Sequence, residues 1–301
     1  MKNIIILIKS FISLTLYAQA KPTESIPFKV EKNQIYIYAK VNKTDSLRFL
    51  FDTGANGSVI NQESTRKVKL KIDGKSINTG SNGTNEVEES SNNEMILGTI
   101  HKKDILFTII PFESDEFDGI IGTDIMREHI IEIDYHKQII NFYEKNDKNI
   151  DYNGYTKLKM SSDIYPTYIK STLLIKGKKY KGLFGLDTGA DDVLTLTSRF
   201  SRNNNFANKM RRIGSAGFIG SDGLEYEMPI FLCPEIEFVK KYFYNIPTAL
   251  SNATEGIDAS DKLAGFYGNA FLKKFNIILN YNSNFIYLKL NKNLYTDFYE
   301  E

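Results

Sequence analysis

The 301-residue chain has no tryptophan, one cysteine, three histidines and seven prolines, and its charges nearly cancel. Each shortage excludes something. With Cys233 alone, no intramolecular disulfide can form. A catalytic thiol is a poor reading of it, because Pro234 follows directly and no His or Asn is positioned beside it, so a buried structural thiol is expected. His101, His129 and His136 make no His-Glu-x-x-His pattern, so a zinc hydrolase is not indicated and no metal or other cofactor is expected. No Gly-x-Ser-x-Gly elbow is present for a serine hydrolase. Lys+Arg is 38 against Asp+Glu 37, which offers nothing to a polyanion such as nucleic acid. The run Gly214-Ser215-Ala216-Gly217-Phe218-Ile219-Gly220 is spaced Gly-x-x-Gly-x-x-Gly outside any βαβ unit, so it is no phosphate cradle.

Long apolar runs are scarce as well. Met1-Lys2-Asn3 is a short positive lead, Ile4 to Tyr17 is mostly apolar but interrupted by Lys9, and Ala18-Gln19-Ala20 is a small-x-small cleavage pattern. The run is shorter than the roughly 20 apolar residues of a spanning helix. It is therefore read as a signal peptide over residues 1–20, cleaved after Ala20, which implies export to the periplasm or beyond and no stable membrane span in the mature chain. An exported protein without disulfides, rich in Asn, Ile and Lys, suits a low-GC bacterium.

What is present is β-forming material. Eighteen Tyr and twenty Phe suit a pleated interior, and 42% hydrophobic residues can fill a sizeable core. Gln34 to Val41 and Leu47 to Phe51 read as strands around the turn residues 42–46, and the second strand delivers Asp52. Thr65 to Lys69 is a possible helical turn. The polar stretch from Asp73 to Asn93 holds too little apolar content for core, so it is a hairpin or a disordered insertion. Strands resume at Glu94 to Gly98 and Ile105 to Ile110. Asp118-Gly119-Ile120-Ile121-Gly122 then leads into a short helix, and a hairpin turns around His136-Lys137.

After the polar joint from Glu144 to Asn153 the same parts return. Tyr168 to Ile175 and Tyr180 to Leu186 read as strands, the second delivering Asp187, and Gly265-Phe266-Tyr267-Gly268 answers Gly119-Ile120-Ile121-Gly122. Asp52-Thr53-Gly54-Ala55 recurs as Asp187-Thr188-Gly189-Ala190, 135 positions on, while Gly122 and Gly268 are 146 apart. The offsets differ by 11, which one longer loop absorbs. Equal landmarks in equal order imply a tandem duplication, with one unit over 21–148 and another over 149–301.

Asp-Thr-Gly-Ala after an apolar strand, followed later by apolar-apolar-Gly, resembles the retropepsin and pepsin group of aspartic proteases. The second copy, running on through Asp191-Asp192-Val193-Leu194, is especially similar to the retroviral type. The resemblance covers about Ile26 to Leu290. It implies an all-β fold of two tandem retropepsin-like β-barrel lobes in a bilobal, pepsin-like arrangement, and an aspartic endopeptidase with both aspartates in one chain, so that a monomer suffices. Asp52 and Asp187 would be the catalytic pair, since two facing carboxylates share a proton and supply base and acid together. Thr53 and Thr188 would bond across the lobe interface, and Gly54, Ala55, Gly189 and Ala190 would shape the two loops.

By the same resemblance Asp191 and Asp192 would contact an extended peptide or protein substrate in the interlobe cleft, and Gly122 and Gly268 would pack behind the loops. Residues 212–226 and, less strongly, 77–90 would be the flaps, with Gly217 and Phe218 against the substrate. Asn56-Gly57 stands in the first copy where Asp191-Asp192 stands in the second, so the two sides should bind differently. The competing reading is a non-catalytic peptide-binding module on the duplicated fold.

Overall fold

The computed structural model describes residues 20–112 and 114–299. Of the segment 1–20 read as a signal peptide, residues 1–19 lie outside the described residues. Among those described, no helix is long and apolar enough to cross a membrane.

The chain is built almost wholly from strands, and the first ones show why. In Gln34–Val41 the side chains of Ile35, Ile37, Ala39 and Val41 are buried while Tyr38 and Lys40 face solvent, the two-residue period of a half-buried strand. Asn42 (φ 48°) and Lys43 (φ 66°) both take the left-handed conformation, in a turn closed by the Thr44 N–H on the Val41 carbonyl (2.9 Å) within the connection to the next strand. Leu47–Phe51 then returns antiparallel, with Tyr36 opposite Leu50 and Ala39 opposite Leu47. In the second half Lys176 (φ 51°) and Gly177 (φ 74°) are left-handed too, and with Ile175 paired to Lys178 they form a two-residue hairpin between Tyr168–Ile175 and Lys178–Asp187.

The two halves share one strand order. In the first, Gln34–Val41, Leu47–Phe51, Gly119–Ile121, Ser58–Asn61, Ile100–Ile110, Thr84–Leu97 and Gly74–Thr79 lie side by side. In the second the order is Tyr168–Ile175, Lys178–Asp187, Gly265–Gly268, Leu194–Leu196, Lys241–Leu250, Glu225–Phe238 and Arg211–Ile219. Extra pairings of Thr84–Leu97 and Glu225–Phe238 onto the first strand of each half, at Lys40 with Ile96 and at Thr172 with Glu237, curl each sheet on itself. The result is a mostly β, barrel-containing fold.

A shared sheet joins the halves. His129–Asp134 pairs antiparallel with Phe275–Asn280, Ile130 opposite Asn280 and Ile133 opposite Ile277. The hairpins at Ile139–Glu144 and Phe285–Leu290 flank this pair, and Glu24–Pro27 extends one side. Beneath it Glu132 accepts the hydroxyls of Tyr143 (2.8 Å) and Tyr155 (3.0 Å). The main apolar cluster is continuous from Ile26 through Phe51 and Ile133 to Phe271 and Leu288. Both halves therefore contribute to one core.

One local expectation shifts and another is decided between its alternatives. The helical turn begins earlier, as a 3₁₀ segment over Gln62–Lys67 capped by the Asn61 side chain. The polar stretch after Asp73 is a hairpin of Gly74–Thr79 on Thr84–Leu97. Cys233 is fully buried, and burial pushes its thiol up to about 12, so it has little thiolate character.

Candidate active site

Leu47–Phe51 runs parallel to Gly119–Ile121, and the Asp52 backbone N–H closes the pairing on the Ile121 carbonyl at 3.0 Å. Lys178–Asp187 runs parallel to Gly265–Gly268 in the same way, with Asp187 opposite Gly268. Each aspartate is thus set at the carboxyl end of a central strand. Behind the first loop, the Thr123 and Asp124 N–H groups bond the carbonyls of Ala55 (2.9 Å) and Asn56 (3.1 Å). Behind the second, Asn269 and Ala270 do the same to Ala190 (2.8 Å) and Asp192 (3.1 Å). A Cβ at Gly122 would strike the Gly57 carbonyl, and one at Gly268 the Asp192 backbone and carboxylate. The short helices Thr123–Met126 and Asn269–Leu272 can reach the loops only over glycine.

The loops are tied to each other. The Thr53 N–H donates to Thr188 Oγ1 (3.0 Å) and the Thr188 N–H to Thr53 Oγ1 (3.1 Å). The Thr53 hydroxyl donates to the Leu186 carbonyl (2.7 Å) and the Thr188 hydroxyl to that of Phe51 (2.6 Å). Both threonines are buried, so these bonds form out of reach of water.

This lattice brings the half-buried Asp52 and Asp187 together. Gly54 N–H donates to Asp52 Oδ1 (2.6 Å), and the N–H groups of Gly189 and Ala190 both donate to Asp187 Oδ1 (3.0 Å each). A Cβ on Gly54 would meet Asp187 Oδ2 at 2.5 Å, and one on Gly189 would meet Asp52 Oδ2 at 2.5 Å, so each glycine lies against the opposite carboxylate. Burial, the charge of Asp187 and a side-chain hydrogen bond with Asp187 hold the Asp52 carboxyl well above the usual range. Two carboxyls so placed do not both ionise and can share one proton. Such a pair presents a base and an acid to whatever lies between them.

A tyrosine that the sequence reading did not single out completes the pair. Tyr165 donates its hydroxyl to Asp187 Oδ2 at 2.8 Å. It precedes Asp187 by 22 positions, in the bend before Tyr168–Ile175, and no local pattern marks it. Gln34 and Asn33 are two further residues without a sequence signal. Their amides donate to the carbonyls of Gly189 (2.6 Å) and Asp191 (3.2 Å), docking the first half on the second loop.

The acidic pair after the second loop divides. Asp191 keeps its side chain at the surface. Asp192, expected beside it as a substrate contact, turns inward and is 8% exposed. Its Oδ2 accepts the Thr195 hydroxyl, its Oδ1 has no hydrogen-bond partner among the described residues, and burial pushes the carboxyl up to about 8. The strand Leu194–Leu196 that follows pulls it into the interior.

Both expected flaps are hairpins, and their tips meet. Asn78 Nδ2 donates to the Ser221 carbonyl (2.9 Å), and Asp222 Oδ2 accepts the Asn82 N–H (2.7 Å). The loop before Gly265–Gly268 joins them, with the N–H groups of Ile257 and Asp258 donating to the carbonyls of Gly80 and Ser81 (2.9 Å each). Gly217 and Phe218 lie in the strand Arg211–Ile219, where Phe218 stacks on Tyr226 (6.1 Å) and the Tyr226 hydroxyl reaches Asp258 (3.3 Å).

Residues 37–125 match the aspartyl protease family. Among solved structures, the chain is similar to the aspartic proteinase from Irpex lacteus, with a TM-score of 0.58 and 10% identity over 91% of this chain and 98% of that one. At that identity the likeness is one of fold, and the fold is pepsin-like. No curated protein sequence matches the chain.

Proposed function

We propose that this protein is an aspartic endopeptidase that hydrolyses peptide bonds with water activated between Asp52 and Asp187. The observation that carries the reading is the placement of the two carboxyls against each other by the reciprocal Thr53–Thr188 bonds. One carboxylate takes a proton from water, and the other, protonated, donates to the scissile carbonyl oxygen. The family match over 37–125 supports the role of the first loop, and the shared strand order supports an equivalent role for the second.

On this reading the halves are tandem copies of one unit, dividing near residue 148, and one chain holds a complete site. The substrate is an extended peptide or protein segment held between the halves under the hairpins at 74–97 and 211–238. Asp191 serves as a substrate contact on the second side, and Gly217 and Phe218 approach the substrate from the hairpin. Export through the N-terminal segment would place the enzyme outside the cytoplasm.

The test is cleavage of a peptide library from acidic to neutral pH by the wild type, Asp52→Asn and Asp187→Asn. Each amide keeps the shape of its carboxyl and removes its acid–base function. Cleavage should fall by at least three orders of magnitude in both variants while their circular dichroism and thermal unfolding match the wild type. Substantial activity in either variant overturns the paired-carboxyl mechanism. Peptide binding without cleavage by the wild type would instead establish a binding module.

A further inference from the structure

The two aspartates receive different hydrogen bonds. Asp187 accepts three donors, the N–H groups of Gly189 and Ala190 on Oδ1 and the Tyr165 hydroxyl on Oδ2. Asp52 accepts backbone N–H groups, from Gly54 and Ala55. The hydroxyls of the two loops are committed elsewhere, Thr53 to the Leu186 carbonyl and Thr188 to that of Phe51. Among the described hydrogen bonds, a side-chain hydroxyl reaches the pair on the Asp187 side alone.

Tyr165 is built into place. It is 7% exposed, and its ring packs with Tyr168, Leu263 and Phe266, with centroids 5.1 Å apart for the last pair. A Cβ at Gly54 would strike its hydroxyl, so the glycine of the first loop leaves the space that the tyrosine of the second half enters. Burial and the charges of Asp187 and Asp52 push the phenol far above its ordinary range, so it remains a donor throughout the pH range of interest. A donor aimed at a carboxyl oxygen stabilises the ionised form.

We propose that Tyr165 is a positioning residue that holds Asp187 as the carboxylate and so places the shared proton on Asp52. The proposal rests on the protease reading above and assigns its roles. The water oxygen bonds to the carbonyl carbon as its proton passes to Asp187. The carbonyl π pair moves onto oxygen, which takes the proton from Asp52, and a neutral gem-diol results. Other ionisable groups face the pair. Asp192 and Asp258 lie within reach of the Asp187 charge, with carboxyls pushed up to about 8 and about 7 by burial, and Tyr281 lies within reach of Asp52 beside Arg127. At mildly acid pH Asp192 and Asp258 are largely neutral, Tyr281 bonds Thr167 instead of a dyad carboxyl, and of these groups Tyr165 is the one hydrogen-bonded directly to an aspartate of the pair.

The experiment compares the full-length wild type with Tyr165→Phe, which keeps the ring and loses the donor. Two readouts are taken, the pH profile of kcat/KM on a cleaved peptide and the titration of the dyad carboxyls by NMR with ¹³C-labelled aspartate. The acid limb should move up by about one pH unit in Y165F, with KM little changed. In the carbon spectra one dyad carboxyl of the wild type should ionise well before the other, and the two steps should draw together in Y165F. Placing 3-fluorotyrosine at 165, a stronger donor of nearly the same size, should move the limb the opposite way, and it also covers the case in which Y165F does not fold. A profile and a titration unchanged by the substitutions would overturn the assignment. Should the wild type cleave nothing, the protease reading fails, and the NMR titration still decides whether Tyr165 sets the ionisation of the pair.

Discussion

Thr53 and Thr188 each donate a backbone N–H to the other's hydroxyl, and each hydroxyl donates onward to a carbonyl of the opposite half. Four buried hydrogen bonds thus join segments 135 positions apart in sequence, directly beneath the two carboxyls. Valine fills the volume of threonine but offers no acceptor. In Thr188→Val the Thr53 N–H and the Phe51 carbonyl would be left buried and unpaired, which costs about 2–4 kcal/mol for two lost bonds. Denaturant unfolding should report that loss, and Thr188→Ser, which restores the hydroxyl, should recover most of it. Equal stability of the valine variant and the wild type would mean that the bonds do not hold the halves together.

The loop glycines support a second prediction. Gly54 and Gly189 are required for space, since a Cβ at either would fall within 2.5 Å of an oxygen of the opposite carboxylate. Gly54→Ala and Gly189→Ala should each reduce cleavage by about 100-fold or more through displacement of the dyad, the order expected when a reacting group moves by an ångström. Gly189→Ala should fold, because the carboxylate it displaces is half-buried, whereas Gly54→Ala also presses on the buried Tyr165 hydroxyl and should lose some stability as well. A crystal structure of either variant with an undisturbed dyad, or near-normal turnover, would contradict this.

Much of this arrangement was legible in the sequence. The strands leading to Asp52 and Asp187 announce themselves by alternation and by turn residues such as Asn42-Lys43 and Lys176-Gly177, and the repeated landmarks gave their order. Local patterns carry such features. The pairing of Ile130 with Asn280, the meeting of Asn82 with Asp222 and the reach of Tyr165 to Asp187 depend on registers between distant strands, which no short window encodes. Asp192 misleads for a related reason. The resemblance groups it with Asp191 as a substrate contact, and its burial beside Thr195 comes from the packing of Leu194–Leu196, which the motif does not encode. The polar hairpin after Asp73 was ambiguous because Gly74–Thr79 buries little and needs no apolar face of its own.

The joined hairpin tips yield a third prediction. Asp222 is 8% exposed and accepts N–H groups from Asn82 in the other hairpin (2.7 Å) and from Leu224 in its own (2.9 Å). Asp222→Ala removes both acceptors and should favour separation of the tips. Limited proteolysis should then cut within residues 220–224 several-fold faster than in the wild type, since cleavage of a loop tracks the population of its open form. If the tips gate the cleft, association with peptide should quicken in the same variant. An unchanged nicking rate would show that the Asp222 contacts do not keep the tips together.

The buried carboxyls set the pH dependence of stability. Asp192 and Asp258 are pushed up to about 8 and about 7, chiefly by burial, and Asp52 is raised as well. An aspartate in the unfolded chain titrates near 4. Between about pH 4 and pH 8 the folded protein therefore binds more protons than the unfolded chain, and stability must fall as pH rises through that window. Glu24, Asp73, Asp163 and the buried Asp118, held below the usual range by hydrogen bonds, act in the opposite sense only as pH falls below about 4, because above it they are ionised in the folded and unfolded chain alike. The thermal midpoint should accordingly be several degrees higher at pH 5 than at pH 8, on the order of a few kcal/mol. Asp192→Asn separates this from a general charge effect, because the amide cannot ionise yet can still accept the Thr195 hydroxyl. It should leave stability at pH 5 nearly unchanged and raise it at pH 8, flattening the profile. A wild-type midpoint that climbs from pH 5 to pH 8 would mean that these carboxyls are ionised at little cost in the folded protein.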